Sequence, residues 1–197
     1  MSNDKYKFTG ETKVINGVPL RRIEAIRDFR DVKKGDLGGF IESEFNLSSL
    51  GDCWVYDDAC VYGFAMVFEW GKVSGNARVY GHAWVYDSGW IRDNAQAFDN
   101  ARIKGCAQVY GNAKVYGDAM AYGSCHVFDN AELYDNARMD EESWLHENAK
   151  ASGNALLAGE CLAKGNSEVY GNSIAFEYAE LEGCDSHTYG ELKRKHD

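Results

Sequence analysis

Gly75-Asn-Ala-Arg-Val-Tyr80, Gly81-His-Ala-Trp-Val-Tyr86, Asp93-Asn-Ala-Gln-Ala-Phe98, Gly111-Asn-Ala-Lys-Val-Tyr116 and Asp129-Asn-Ala-Glu-Leu-Tyr134 repeat one six-residue pattern. Followed outward, the pattern runs from Gly51 to Glu182 as twenty-two units without insertion or deletion. Position 1 is Gly, Asp or Glu in every unit. Position 3 is always small: fourteen Ala, three Cys, three Ser and two Gly. Position 5 is always apolar, from Val55 to Leu181. A fixed short period is the signature of a stacked-repeat architecture.

Alternation explains the number six. Positions 3 and 5 are two apart, so in a strand they point to one face, and positions 4 and 6 point to the other. The Gly-Asn and Asp-Asn pairs at positions 1 and 2 tolerate positive φ and so make a corner. Short strand and corner, repeated, wind into a coil. Asn76, Asn94, Asn112, Asn130, Asn148 and Asn166 recur every eighteen residues. Three units therefore complete one turn of a triangular prism, and Asn lies above Asn in a side-chain ladder. Ala77, Val79, Ala113 and Val115 belong inside. Successive coils join through parallel main-chain hydrogen bonds, about 4.8 Å apart.

This pattern resembles that of hexapeptide-repeat proteins, in which a small residue follows an aliphatic one four positions later, as in Val79-Tyr-Gly-His-Ala83. One departure is regular: the residue after the aliphatic is mostly Tyr or Phe, where that family often has Gly, Ala or an acid. The resemblance implies an all-β, single-stranded, left-handed parallel β-helix. The hand comes from the resemblance alone, because the general crossover rule favours the right hand.

The chain divides into a cap (1–38), a β-helix (39–182) and a tail (183–197). Units Gly39–Glu44 and Phe45–Leu50 keep the six-residue phase without the composition, which gives eight coils and a rod of about 38 Å. Lys5–Phe8 and Thr12–Ile15 read as strands, Asn16-Gly17 as a hairpin turn and Val18–Ile26 as a third strand. This block is needed to cover the open edge of the first coil. Beyond Gly183 the pattern breaks, and Glu191–Asp197 reads as a short helix or a frayed end.

Net charge is −10, unevenly spread. Residues 1–38 hold nine Lys and Arg against six Asp and Glu (+3), and residues 39–182 hold nine against twenty-two (−13). An acidic rod does not invite direct nucleic-acid binding, which needs Lys and Arg on phosphate. It suits a basic protein partner. No stretch reads as a signal peptide or membrane span, so the cytoplasm is the expected location. Cys53, Cys125 and Cys161 occupy the small inward slot on separate coils, and no CxxC exists among the six cysteines. Buried reduced thiols follow, rather than disulfides or a metal site.

The cap carries a second resemblance. Arg21-Arg-Ile-Glu-Ala-Ile-Arg-Asp-Phe29, Asp31-Val-Lys-Lys-Gly-Asp-Leu-Gly-Gly-Phe-Ile41 and Gly51-Asp-Cys-Trp-Val-Tyr56 look like the YdcK-type group. Those are bacterial and phage-borne hexapeptide proteins, often labelled transferase-like. The likeness covers roughly residues 10–60 and brings no catalytic residues with it.

Function must lie in the outward positions. One face carries Tyr62, Tyr80, Phe98, Tyr116, Tyr134 and Tyr170 beside alternating charges. It reads as a self-stacking aromatic ladder or as a flat recognition surface. A second face carries Met66, Trp84, Tyr86, Met120, Tyr122, Leu156, Ile174 and Phe176, interrupted by Arg102 and Arg138. So much outward apolar surface calls for a cover. The cover is either a second subunit, in a trimer by resemblance or a dimer, or the N-terminal block folded back. The third face holds Trp54, Trp90, Tyr110, His126, Phe128, Trp144 and His146.

His126 and His146 are the enzymatic candidates. The resemblance implies an acyltransferase in which a His is the general base and coenzyme A lies along the rod. Against that reading, no loop leaves the coils and no basic cluster awaits the coenzyme phosphates. No cofactor is expected. The five His do not have the spacing of a three-His zinc site. The preferred reading is a non-enzymatic acidic scaffold that binds a protein, a bacterial or phage-encoded modulator. The alternatives are the acyltransferase and a DNA-mimicking inhibitor built on Asp57, Asp93, Asp129 and Glu147, a row that Gly75 and Gly111 interrupt.

Overall fold

The computed structural model describes residues 3–182 and the backbone of residues 186–192. The described chain is a parallel β-solenoid of about eight stacked coils with no α-helix. Each coil gives one short strand, positions 4 and 5, to each of three ladders. Ladder A runs from Cys60-Val61 through Gln96-Ala97 to Glu168-Val169. Ladder B runs from Met66-Val67 to Ile174-Ala175. Ladder C runs from Trp54-Val55 to Glu180-Leu181. Every pairing in these stretches joins residues eighteen apart, the period read from Asn. All position-3 and position-5 residues from Cys53 to Leu181 are buried.

The corners are more specific than the sequence suggested. All twenty-two position-1 residues have φ between 51° and 71°, Asp and Glu as well as Gly. The position-2 Asn does not share this conformation. Its N–H instead donates to the next coil's position-1 carbonyl, as Asn112 does to Asp129 at 2.6 Å. Position 1 must lie in the left-handed region, which Gly enters freely and Asp tolerates. At most acidic corners the carboxylate accepts the N–H of position 1 on the following coil: Asp57 from Gly75 (2.8 Å), Asp93 from Gly111 (3.1 Å), Glu147 from Gly165 (2.9 Å). The Asn ladder is continuous from Asn76 to Asn166, each amide donating to the next at 3.2–3.3 Å.

The first coil corrects the expected phase. Phe40-Ile41 pairs with Cys60-Val61, and Leu47 bridges to Val67, an offset of twenty residues rather than eighteen. Ile41 and Leu47 fill the aliphatic slots that counting by six assigned to Ser43 and Ser49. Burial decides it, because two serines there would put hydroxyls in the core. The two extra residues lie between Leu47 and Val55, where Leu50 is exposed. Asn46, fully buried, secures the turn by donating to the Gly63 and Ala65 carbonyls.

The block before the rod is a three-stranded antiparallel sheet. Strand β1 (Tyr6–Ile15) pairs with β2 (Val18–Ala25) through Asn16-Gly17, both at positive φ. The two short strands expected within β1 are one strand with an irregularity between Phe8 and Thr12. Strand β3 (Leu37–Ile41) pairs antiparallel with β2 and parallel with Cys60-Val61, so it turns the cap into the first coil. A Cβ on Gly38 would lie 2.6–2.7 Å from Ile23, Trp54 and the Val55 carbonyl, so only glycine allows this approach. Trp54, 1% exposed, is packed by Tyr6 and Phe29 at 6.1 and 5.3 Å. The cap's hydrogen bonds and ion pairs to the rod fall on residues 44–72. It therefore sits on the end of the rod and not along ladder B.

The tail departs from expectation. Ser186–Leu192 is a strand, parallel to Glu168–Ala175, and it includes Glu191 and Leu192. The last coil offers an edge of unpaired amides and carbonyls, and the tail takes it. Residues 193–197 lie outside the described residues.

Candidate functional site

Ladder C carries the enzymatic candidates on its outward side. His126 and Phe128 belong to one coil, Trp144 and His146 to the next. His126 stacks on Trp144 at 4.5 Å, and His146 stacks on Phe128 at 4.7 Å. Two parallel stacks thus stand side by side, joined by an edge contact between Phe128 and Trp144. The histidines are on adjacent coils but in different columns, and each ring is engaged by an aromatic neighbour. The His146 Nδ1 lies 3.8 Å from Asp129 and 3.9 Å from Glu147, charge contacts that operate only when the imidazole is protonated. Burial, then the Arg92 charge, pushes the His126 pKa below its ordinary value. Its Nδ1 is buried without a hydrogen-bond partner. Arg92 lies over Tyr110 at 4.0 Å and is held by Asp93 at 3.2 Å.

Where ladder C meets the cap there is a cluster that sequence reading missed. Tyr56 donates to the Asp31 carboxylate at 3.1 Å, and Lys72 lies 3.9 Å from it. The Lys72 ammonium faces the Tyr56 and Trp90 rings, and Trp90 donates to the Ser74 hydroxyl at 2.9 Å. These side chains line a cavity of about 280 Å³. Asp31 comes from the cap loop, and no local pattern could have placed it here.

Ladder A carries the expected aromatic column. Tyr62, Tyr80, Phe98, Tyr116 and Tyr134 stack in sequence at 4.8–5.2 Å, within 7° of parallel. Centroid spacing equals coil spacing, so ring faces meet ring faces and only edges reach solvent. Tyr116 also donates to Glu132, which pairs with Lys114, both at 3.1 Å. Such a column cannot lay a flat platform under a sugar or base.

Ladder B is different. Tyr86 stacks on Phe68 at 4.8 Å, and Trp84 meets both rings edge-on. The Arg102 guanidinium covers Trp84 at 4.1 Å, so this interruption of the apolar column shields it in part. Trp84 and Ile174 nonetheless stay 36% and 39% exposed. Met120 sits between Arg102 and Arg138 in the same column. Farther along, Tyr122, Arg138, Leu156 and Ile174 border a cavity of about 400 Å³. Phe176 follows two residues after Ile174, at position 6 of the last coil. Among the described residues no His, Cys, Asp or Glu cluster could hold a metal. No helix there is long and apolar enough to cross a membrane.

The family description YdcK β-solenoid repeat matches residues 72–91 and 107–123, which hold Trp84, Tyr86, Tyr110 and Tyr116. These stretches are YdcK-type β-solenoid repeats. A curated relative, the uncharacterized acetyltransferase YdcK of Escherichia coli (strain K12), is 39% identical over 61 residues. That match takes in 27% of this chain and 19% of the relative, so it spans about a fifth of the relative's length. The outward stacks of His126 and His146 lie beyond the two matched stretches.

Proposed function

We propose that this chain is a non-enzymatic, acidic scaffold that binds protein through ladder B. The observation that carries this reading is the outward column of ladder B, where Trp84 and Ile174 are exposed and Met120 is half-buried, on a rod whose coils give off no loop between Gly51 and Glu182. Trp84 and Ile174 leave apolar surface of ladder B open to a partner, and Trp144 does the same on ladder C. A second copy of the chain is the first occupant to test, and basic proteins are the second, given the charge of the rod. A face of this length can supply the roughly 800 Å² per partner of a stable interface. Light scattering tests the first case. Wild type should self-associate at micromolar concentration, and Trp84→Glu with Met120→Glu should give monomers with unchanged β circular dichroism. A wild type already monomeric at that concentration removes the self-association reading. Affinity capture from the native host, lost with the same double variant, tests the second.

An acyltransferase is the second reading. The name of the relative and the carboxylates beside His146 favour it. It requires coenzyme A to bind along ladder C. Calorimetry with acetyl-coenzyme A, on wild type and on His126→Ala and His146→Ala, decides it: binding lost with either histidine would replace the scaffold reading. A DNA mimic is disfavoured, because Asp57, Asp93, Asp129 and Glu147 each give an oxygen to the amide of the next coil.

A further inference from the structure

Lys5 is fully buried at the base of the cap. Its Nζ donates to the Ser48 carbonyl at 3.0 Å and to the Cys53 sulfur at 3.2 Å, and it faces the Phe29 ring at 5.2 Å. No carboxylate is among these partners. Burial lowers the Lys5 pKa and raises that of Cys53, so burial favours a neutral amine beside a neutral thiol. The thiol hydrogen has acceptors in the carbonyls of Ser48 and Leu50, at 3.5 and 3.8 Å. Cys125 and Cys161 fill the same inward slot on later coils, and no amine is among the groups that act on them. Cys53 alone of the three faces a nucleophile.

Lys5 and Cys53 are both buried, so an oxidant must reach them by a local opening of the cap–rod junction beside a neighbouring cavity. A cavity of about 270 Å³ is lined by Asn3, Tyr6, Leu47, Ser48 and Leu50 among others. Ser48 and Leu50 are the residues whose carbonyls touch the thiol, so the cavity comes within one residue of the sulfur.

We propose that Lys5 and Cys53 are a peroxide-triggered crosslinking site that joins the cap to the rod as a sulfenamide. Hydrogen peroxide first converts the thiol to a sulfenic acid. The Lys5 amine takes the thiol proton, the thiolate sulfur takes one hydroxyl as the O–O bond breaks, and the departing hydroxide recovers that proton from Lys5 and leaves as water. The Lys5 amine then attacks sulfur. The S–N bond forms, the S–O bond breaks, and the hydroxyl leaves as water with one amine hydrogen. Sulfur is oxidised by two electrons, and the peroxide ends as two waters. The 3.2 Å separation is already a near-attack distance, and a neutral lysine has the lone pair the step requires.

The test is peroxide treatment of the full chain, proteolysis and mass spectrometry. The expected product is the Lys5 peptide joined to the Cys53 peptide, lighter than their sum by two hydrogens and separated again by a dithiol. Exposed Cys106 reports the oxidant in the same sample. In Lys5→Met no link forms, and Cys53 proceeds to the sulfinic acid. Wild type should melt at a higher temperature after peroxide. Cys53→Ala, which carries the residue found in this slot in fourteen units, should melt at the same temperature with and without it. Oxidation of Cys106 with both peptides left separate overturns the proposal. So does a wild-type Cys53 that becomes sulfinic while Lys5 stays free.

Discussion

Replacing Gly111 separates the two demands that position 1 makes. Its φ is +68°, and an added Cβ would lie 2.9 Å from the Asp129 nitrogen and 3.1 Å from the Asp129 Cα and oxygen. Gly111→Ala must hold a left-handed conformation, which costs roughly 1–2 kcal/mol for an L residue. It must also move the next coil by a few tenths of an ångström, as the contacts are backbone. A loss of about 2 kcal/mol follows. Gly111→Asp meets the same contacts, but its carboxylate falls where Asp93 and Asp129 already place theirs, against the amide of the coil above. That hydrogen bond contributes roughly 0.5–1.5 kcal/mol. Asp should therefore be the more stable variant by about 1 kcal/mol, although it carries a charge between Asp93 and Asp129. Urea denaturation followed by circular dichroism at high salt, which screens that repulsion, compares the three proteins at constant m-value. Ala equal to or better than Asp under these conditions would refute the claim that the corner acids act by capping the next coil.

Three further outcomes follow from the outward side chains. Glu132 is partly buried, which raises its pKa, but the Lys114 and Tyr116 hydrogen bonds outweigh this and hold the carboxyl below its ordinary value. Its stabilisation is complete above the unfolded carboxyl's pKa and is lost as pH falls through the folded one. Glu132→Gln should thus cost about 0.5 kcal/mol at neutral pH and nothing in acid, read from denaturation midpoints. The depressed His126 pKa means that the folded state resists protonation, so stability is complete above the ordinary His value and declines below it. Melting temperatures from about pH 7.5 to about pH 5 should fall less steeply in His126→Phe, and identical slopes would contradict the burial account. Asn112→Ala removes two amide bonds of the Asn ladder, at 3.3 and 3.2 Å. It should cost about 1 kcal/mol and speed amide exchange in the coils carrying Asn94 and Asn130.

What the sequence made legible was whatever recurs. Ala77, Val79 and the Asn column impose the same constraint at every coil, so a period of six and a period of eighteen state the fold. Asn16-Gly17 was legible for a local reason, because few other pairs make that turn. The first coil was not, because a two-residue insertion hides where small and aliphatic residues no longer alternate, and only burial shows that Ile41 and Leu47 are inside. The strand at Ser186–Leu192 depends on an edge offered by distant residues, not on its own composition. The site fared worse for the same reason. His126 and His146 were correctly set on adjacent coils, but the column each occupies, and the aromatic ring that engages it, follow from stacking. The Asp31–Tyr56–Lys72 cluster and the burial of Lys5 against Cys53 are single long-range meetings between cap and rod.

The interior and the exterior of this rod count in different units. Inside, one small and one aliphatic residue per unit are all that is asked, so the core is indifferent to a gain or loss of six residues. Outside, neighbours in a column are eighteen apart, as Tyr80, Phe98, Tyr116 and Tyr134 are. Loss of a single unit would leave the core intact yet carry every later side chain onto a different ladder, with Tyr116 no longer in line with Phe98. Loss of a whole coil would shorten the rod and leave all three surfaces in order. Length in this architecture is therefore free to change only by turns if a surface is to be kept, and by thirds of a turn if only the fold is.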